Sequence, residues 1–394
     1  MRPRQLTAQE PVVLDLCSVR LRSNPRLRLV PYDRLPPSQR DLLGSLSGDR
    51  DFFGILEPAT QSGLPAKSVS RDAALLFLVL AEPACLPNLL SNLLGAGAHA
   101  RLRQLVLDQV FEVEQDGEFV SGPAALRLLG HEPDGQSDSR VAQLSSEAID
   151  YARALESLTA REVAAHLYLF NAAPSTPALQ RRFASDDRLR SFLYAGTDAE
   201  RWLRSKWRGQ SVEDSWLAWS APTAAAAAYK LYVSPVLDDL PRVFGAAVHA
   251  FAQADCSCFK LGRGAYGVLR PDKLVAYFPS LDRLQRAAAL IEHGTRGAVC
   301  QGVPFSAPID KAGLLSWGMD PPPLALMPGD HAVPSWRQWL SERIAAYVVA
   351  ARHSGDDVQT FVRQRIGLDG VDPANWTPSL AIWRSPSPTG PGVP

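Results

Sequence analysis

The chain has 394 residues, 46% of them hydrophobic, which is enough for two or three domains with cores of their own. Its 41 basic and 41 acidic residues cancel, so no global field attracts nucleic acid or a membrane, and neither is expected as a partner. The five cysteines are scattered, and the first residues lack the apolar run of a signal peptide. This pattern predicts a cytoplasmic protein rather than a secreted disulfide framework.

The first 130 residues are predicted to form a smaller region of mixed α/β structure. The apolar run at 73–81 is half as long as a membrane span, so it predicts a buried helix. Asp116 and Gly117 lie between two alternating runs and predict a hairpin, followed by a helix that begins near Pro123. No catalytic constellation is evident here, and we expect residues 1–130 to dock a partner protein or a peptide leader.

A second domain is predicted over residues 144–384. Its first helices include a capping box, in which Thr159 and Glu162 mark a helix start. Alternating and helical patterns then predict strands at 229–233, 257–261 and 273–278 and helices at 239–254 and 280–296. This order predicts an α+β fold with an antiparallel sheet and packed helices. The Pro-rich tail, 385–394, is expected to be disordered.

Cations are concentrated between residues 229 and 278, although the chain has no net charge. They are Lys230, Lys260, Arg263, Arg270 and Lys273. Lys230 and Tyr232 are two residues apart on one predicted strand, so they project to the same face, and Lys260 lies on the next strand. Arginine binds phosphate through paired hydrogen bonds and lysine supplies a point charge. The sequence therefore predicts a phosphate site on this sheet.

The motifs of several phosphate-handling classes are missing from the sequence. It contains no P-loop, no kinase signature and no cluster with metal-ligand spacing, which disfavours P-loop ATPases, ordinary kinases and two-metal hydrolysis. A β-elimination needs only a base for the α-proton of a phosphorylated residue and an acid for the leaving phosphate. Lysine and tyrosine side chains can fill these two roles.

Five blocks of sequence resemble the HopA-type effector-like family. They are Tyr229–Pro235, FKLGRGAYGVLRPDKLVAYF at 259–278, QGVPF at 301–305, GLLSWGMDPP at 313–322 and SWRQWL at 335–340. Members in peptide natural-product clusters of actinobacteria resemble the lyase subunits of class V lanthipeptide and thioamitide pathways. The resemblance implies elimination of phosphate from phosphoserine or phosphothreonine in a ribosomal precursor peptide. It also implies a separate kinase subunit in a heterocomplex, with no cofactor and no metal.

A looser resemblance to phosphothreonine lyase effectors suggests roles for individual residues. Those proteins carry a Lys-x-His pair on one strand and a second lysine on another. Here Lys230 and Tyr232 stand where that pair would be, which implies Tyr232 as the acid, and Lys260 stands for the base. The implied phosphate-binding and substrate-binding residues are Lys230, Arg263, Arg270, Lys273, Asp320 and Arg337.

Other interpretations of the same residues remain open. Lys230 and Lys273 are also typical of solvated strand edges, and Arg270 is placed to pair with Asp272. Trp317, Trp336 and Trp339 are more typical of a core than of a peptide groove. At the level of function, the alternatives are a non-catalytic phosphopeptide-binding scaffold of a kinase complex and a type III effector-like protein.

Overall fold

The computed structural model describes residues 18–59, 64–86, 98–130, 137–212, 215–222, 227–322 and 334–379. These residues form the expected α+β fold, in which every strand pair is antiparallel. Contacts divide the chain into two compact units: unit 1 comprises Met1–Pro133 with Tyr347–Asp369, and unit 2 comprises Asp134–Ala346 with Gly370–Pro394. The predicted domains are continuous, whereas unit 1 takes residues 347–369 from the C-terminal part. The predicted tail at 385–394 lies outside the described residues.

Helices and strands are numbered in chain order. The strands are β1 Arg20–Ser23, β2 Leu27–Pro31, β3 Phe52–Pro58, β4 Lys67–Ser70, β5 Ala84–Cys85, β6 Phe111–Gln115, β7 Glu118–Val120, β8 Arg208–Val212, β9 Trp216–Ser220, β10 Tyr229–Val233, β11 Cys258–Gly262, β12 Leu274–Phe278, β13 Ala307–Pro308, β14 Leu315–Met319, β15 Val371–Asp372 and β16 Thr377–Pro378. The helices are α1 Pro37–Leu42, α2 Arg71–Val79, α3 Ala98–Leu107, α4 Gly122–Leu128, α5 Arg140–Arg153, α6 Ala160–Leu169, α7 Pro177–Arg182, α8 Asp186–Tyr194, α9 Asp198–Lys206, α10 Leu240–Gln253, α11 Gly264–Leu269, α12 Leu281–Gly294, α13 Trp336–Ser354 and α14 Val358–Leu368. None of the described helices has both the length and the apolar character that crossing a membrane requires.

Unit 1 contains a four-stranded sheet in the order β5-β1-β6-β7 and a three-stranded sheet in the order β2-β3-β4. The predicted hairpin is confirmed: Asp116 and Gly117 turn between β6 and β7 with positive φ angles of 52° and 85°. The C-terminal helix α14 packs on α3 and α4 and buries an apolar face that includes Phe361 and Ile366. Arg365 of α14 forms an ion pair with Asp108 at 2.8 Å, so this helix is a structural part of unit 1.

Unit 2 contains a seven-stranded antiparallel sheet in the order β13-β14-β10-β12-β11-β9-β8. The two predicted long helices are confirmed as α10 and α12, which pack on each other and on one face of the sheet. An aromatic cluster fills this interface, with ring centroids 5.0 to 6.4 Å apart; its members are Trp219, Phe244, Phe251, Phe259 and Phe278. Because side chains alternate along a strand, the polar side chains of the same strands lie on the opposite face.

Glycines shape the connection that follows β11. A Cβ atom on Gly262 would lie 2.2 Å from the carbonyl oxygen of Gly267. The backbones therefore touch at this point, and only glycine fits. Helix α11 can then begin directly after β11 and lead back into β12, which sets the positions of Lys260 and Arg270 on either side of this turn.

Candidate functional site

The strand register brings four polar residues to one face of the sheet, three of which were predicted as site residues. Lys230 lies opposite Tyr277, and Tyr232 lies opposite Val275. Lys260 is also paired with Val275, from the other neighbouring strand. Residues that pair directly, or that are two apart on a strand, share a face. Lys230, Tyr232, Lys260 and Tyr277 therefore all lie on the face away from α10 and α12.

Cations and aromatic rings alternate across this face. This cation–aromatic row consists of Lys230, Tyr277, Lys260, Trp216, Arg270, Tyr168 and Arg337. Lys260 Nζ lies 4.1 Å from the ring centroid of Trp216 and 6.0 Å from that of Tyr277, whose ring also faces Lys230 Nζ at 5.4 Å. At the other end of the row, Arg270 and Arg337 lie 5.1 and 5.0 Å from the ring centroid of Tyr168, and Arg270 lies 4.8 Å from that of Trp216. Each ring thus separates two positive groups and attracts both of them.

Two carboxylates balance part of this charge. Asp272 accepts two hydrogen bonds from Arg270, at 2.9 and 3.0 Å, and forms an ion pair with Arg337 at 2.8 Å. Burial opposes its ionisation, yet Arg337 and Arg270 hold the pKa of Asp272 well below its usual value. Asp320 accepts a hydrogen bond from Lys230 Nζ at 2.5 Å. The anticipated pairing of Arg270 with Asp272 is therefore confirmed.

The two lysines of the row differ in their surroundings. Lys230 is only 6% exposed and is held by Asp320. Lys260 is half-buried, in the middle of the row, where its amine lies between Trp216 and Tyr277. Lys260 is therefore the lysine that a ligand on this face can reach more readily.

Two phenols on this face are kept protonated. Tyr232 is 3% exposed, and burial together with Asp320 raises its pKa well above that of an ordinary phenol. Burial and Asp320 also raise the pKa of Tyr277, which is half-buried and contacts both lysines of the row. Sequence reasoning named Tyr232 and missed Tyr277, although alternation along β12 from Lys273 through Val275 was a signal for it.

Two of the predicted phosphate ligands lie outside the row. Arg263 donates to Asp186 at the start of α8, at 2.7 Å. Lys273 is fully buried and donates to the carbonyl oxygen of Pro235 and to the side chain of Gln301. Burial lowers the pKa of Lys273 to about 7. The structure thus brings Lys230, Lys260, Arg270 and Arg337 together, with Asp320 beside them, and separates Arg263 and Lys273 from them.

Two of the three tryptophans for which a core position was predicted belong to the interior. Trp336 and Trp339 are 0% and 3% exposed, and Trp336 donates to the carbonyl oxygen of Phe305. Trp317 is only half-buried, beside the ring of Tyr229. Tyr168 and Trp216 complete the row but had no sequence signal. Helix α6 is distant in sequence from β10, and no local pattern specifies that β9 pairs with β11. Among the described residues, no three His, Cys, Asp or Glu side chains converge as metal ligands would.

The charge of the row suits a dianion. Four cations, Lys230, Lys260, Arg270 and Arg337, face two carboxylates, Asp272 and Asp320, so the formal balance is about plus two, against the charge of about −1.5 to −2 on a phosphomonoester. The half-buried amine, the protonated phenols and this positive balance lie on one face. Elimination of a phosphate would require groups of these three kinds.

Comparison with known proteins finds weak structural similarities. No protein-family model matches the sequence, and no curated protein is significantly similar to it. Among solved structures, the effector protein from Pseudomonas syringae pv. syringae strain 61 is 12% identical, with a TM-score of 0.38, over 61% of this chain and 97% of that one. The effector protein from Pseudomonas syringae pv. tomato strain DC3000 gives the same identity and TM-score over 61% and 98% of the two chains. The chain is thus weakly similar to effector proteins. This similarity supports the HopA-type part of the resemblance and not the lanthipeptide lyase part.

Proposed function

We propose that the chain is a phosphoserine and phosphothreonine lyase that acts on a peptide by β-elimination and needs no metal. The observation that carries the proposal is the position of Lys260. Its half-buried amine lies at the middle of the cation–aromatic row, with Lys230 beyond one ring and Arg270 beyond the other. If these neighbours bound the phosphate, the α-carbon of the phosphorylated residue would lie close to the Lys260 amine.

The proposed reaction assigns one step to each group. Lys260, in its neutral form, takes the proton from the α-carbon of the phosphorylated residue. The electron pair of that C–H bond forms the Cα=Cβ bond, and the Cβ–O bond breaks, so that phosphate leaves with its electron pair. A phenol donates a proton to the leaving oxygen. Tyr277 is better placed for this than Tyr232, because it is half-buried and contacts both lysines.

The substrate and partners of the proposal come from the family resemblance. The substrate is a ribosomally made precursor peptide, and the products are dehydroalanine and dehydrobutyrine residues during lanthipeptide-type biosynthesis. A separate kinase would supply the phosphopeptide, and both proteins would work in the cytoplasm. If the two were bound to each other, transfer of the peptide would become intramolecular, which favours a heterocomplex.

A phosphopeptide-binding scaffold is the second candidate. Its support is that Lys230 and Arg270 already bind carboxylates, which phosphate oxygens can replace without any reaction. The effector-like alternative shares this surface and differs only in the identity of the target protein.

The test of the lyase uses synthetic phosphoserine and phosphothreonine peptides and mass spectrometry. The parent protein is expected to convert them to dehydrated peptides, whereas a phosphatase would give free serine or threonine. Lys260→Ala is expected to slow elimination by about 10²–10⁴-fold, the usual contribution of a general base. Lys311→Ala, which changes an exposed lysine paired with Asp138, is the matched control and is expected to retain the parent rate.

Two outcomes would contradict the assignment. Elimination at the parent rate by Lys260→Ala would exclude Lys260 as the base. Tight binding of the phosphopeptides by the parent, without any dehydrated product, would favour the scaffold and refute the lyase.

A further inference from the structure

The two edges of the seven-stranded sheet differ in their ability to pair with another chain. At one edge, β13 has two residues and ends at Pro308, which lacks an amide hydrogen. At the other edge, β8 has five residues, Arg208–Val212, and no proline. Over the part of the chain that the structure describes, no strand pairs with the outer side of β8, and residues 208–210 are exposed. Such an edge presents backbone N–H and C=O groups that can pair with an extended segment.

A cavity of about 480 Å³ adjoins this edge. Gly209 of β8 borders it together with Tyr194 of α8, Leu203 of α9 and Trp219 of β9. A Cβ atom at position 209 would lie 3.3 Å from Trp219 Nε1. The absence of a side chain at Gly209 therefore leaves room between β8 and the indole at the border of the cavity. The size lies within the range of about 300–1,000 Å³ that is usual for ligand pockets. Tyr194, Leu203, Trp207 and Trp219 form the apolar part of the lining, which suits an apolar side chain. Another part of the lining is charged and is formed by Asp187, Arg190, Glu200 and Arg204.

The register connects this edge with Lys260. Gln210 of β8 is paired with Ala218 of β9, and Ala218 is paired with Lys260. Neighbouring strands are about 4.8 Å apart, so a strand added outside β8 would lie about 14 Å from β11. An extended chain covers this distance with four or five residues at about 3.3 Å each.

We propose that β8 docks an extended segment of the phosphopeptide substrate as an eighth strand. One apolar side chain of that segment occupies the cavity, and a phosphorylated residue at least four or five positions away reaches Lys260. This inference rests on the proposed function, because that function makes the occupant a peptide. Main-chain pairing gives affinity and the cavity gives side-chain selectivity, as in other cases of strand addition.

The probe is a synthetic peptide in which threonine and leucine alternate, joined by a Gly-Ser spacer to a phosphoserine. Hydrogen exchange of the full chain is measured with and without the peptide. The peptide is expected to slow exchange of the amides at 208–212 and to leave β14 unchanged. N-methylation of the alternating segment, one residue at a time, is expected to weaken binding at every second position only, because alternate amides of an added strand face β8.

A series of peptides with different spacer lengths then tests whether docking at β8 places the phosphoserine at Lys260. Spacers of roughly two, five and eight residues span about 7, 16 and 26 Å, and elimination is expected to be at least about tenfold faster with five than with two. Bound peptide without protection at 208–212, or an N-methyl effect without alternation, would overturn the proposal. So would protection that grows with protein concentration alone, since it would mean pairing between two copies of this chain. Docking without elimination would refute the lyase only, and elimination without protection would refute the docking only.

Discussion

Lys273 offers a test that separates a structural lysine from a phosphate ligand. Its amine is fully buried and donates to the carbonyl oxygen of Pro235 and to Gln301. Burial lowers its pKa to about 7, from an ordinary value of 10.5 that applies in the unfolded chain. The substitution Lys273→Met retains most of the side-chain volume and removes the titrating group.

The sign of the effect follows from proton uptake. Between about pH 7 and pH 10.5 the amine is mostly neutral in the folded protein and protonated in the unfolded chain, so unfolding takes up a proton. The free energy of unfolding therefore rises with pH across this window, and this contribution is lost as the pH falls towards 7. Each pH unit of full linkage is worth about 1.4 kcal/mol. Because the amine is half-protonated at pH 7, the rise between pH 7 and pH 9 is about 2 kcal/mol.

The assay is urea unfolding, followed by tryptophan fluorescence, of the parent and of Lys273→Met at several pH values from 7 to 9. Other groups that titrate in this window are common to both proteins and cancel in the difference. The parent is expected to gain about 2 kcal/mol relative to the variant as the pH rises. Lys311→Met, at an exposed lysine, is the control and should follow the parent.

Equal pH dependence in the parent and Lys273→Met would refute the reasoning, because it would mean that the buried amine keeps its proton. Phosphopeptide affinity gives a second measurement. It is expected to change less than about twofold in Lys273→Met, whereas a selective loss of about tenfold or more, equal to roughly 1.4 kcal/mol, would return Lys273 to the phosphate site.

Three further substitutions test the packing and the chemistry of the face. Asp272→Asn leaves the buried guanidinium group of Arg337 and the half-buried one of Arg270 without their carboxylate. It is expected to lower the free energy of unfolding by about 3–5 kcal/mol. Asp138→Asn, at an exposed pair, should change urea unfolding little, and equal effects of the two substitutions would contradict the role of the Asp272 network. Tyr277→Phe is expected to slow single-turnover elimination by about 10²-fold and Tyr232→Phe to slow it less, and the reverse order would make Tyr232 the acid. Gly318→Ala places a Cβ atom 2.4 Å from an indole carbon and is expected to cost about 1–3 kcal/mol in thermal unfolding; an unchanged melting temperature would show that the packing there is looser.

The local elements were predictable because their side-chain periods are strong. Alternation in YKLYV and KLVAYF predicts β10 and β12, and the same period predicts that Lys230 and Tyr232 share a face. The position of Lys260 relative to them depends on the register of β11 against β12, which no local pattern specifies. The neighbour of β10 on its other side, β14, comes from a distant part of the chain. The order of strands in the sheet could therefore not be predicted from local sequence patterns.

The errors in the phosphate site have the same physical origin. Arg263 follows closely after Lys260 in the sequence, yet it binds Asp186 on α8. That partner is remote in sequence, so the local pattern gave no sign of it. Lys273 was interpreted as an exposed cation, but its turn is covered by residues near Gln301. Tyr168 joins the row from α6, a helix for which the sequence predicted only the capped start. Proximity in sequence therefore predicted the cations but not the carboxylates and rings that determine their roles.

The discontinuous composition of unit 1 has a consequence for synthesis. Helix α14, which covers α3 and α4, is translated only after residues 134–346, and at about 5–20 residues per second this takes roughly 10–40 s. During that delay the apolar surface that Phe361 and Ile366 later cover stays open on the ribosome. Unit 2 contributes most of the intervening residues and can begin to fold first. The first segment to be made is therefore among the last to be completed, and a chaperone that binds nascent apolar surface would act on it longest.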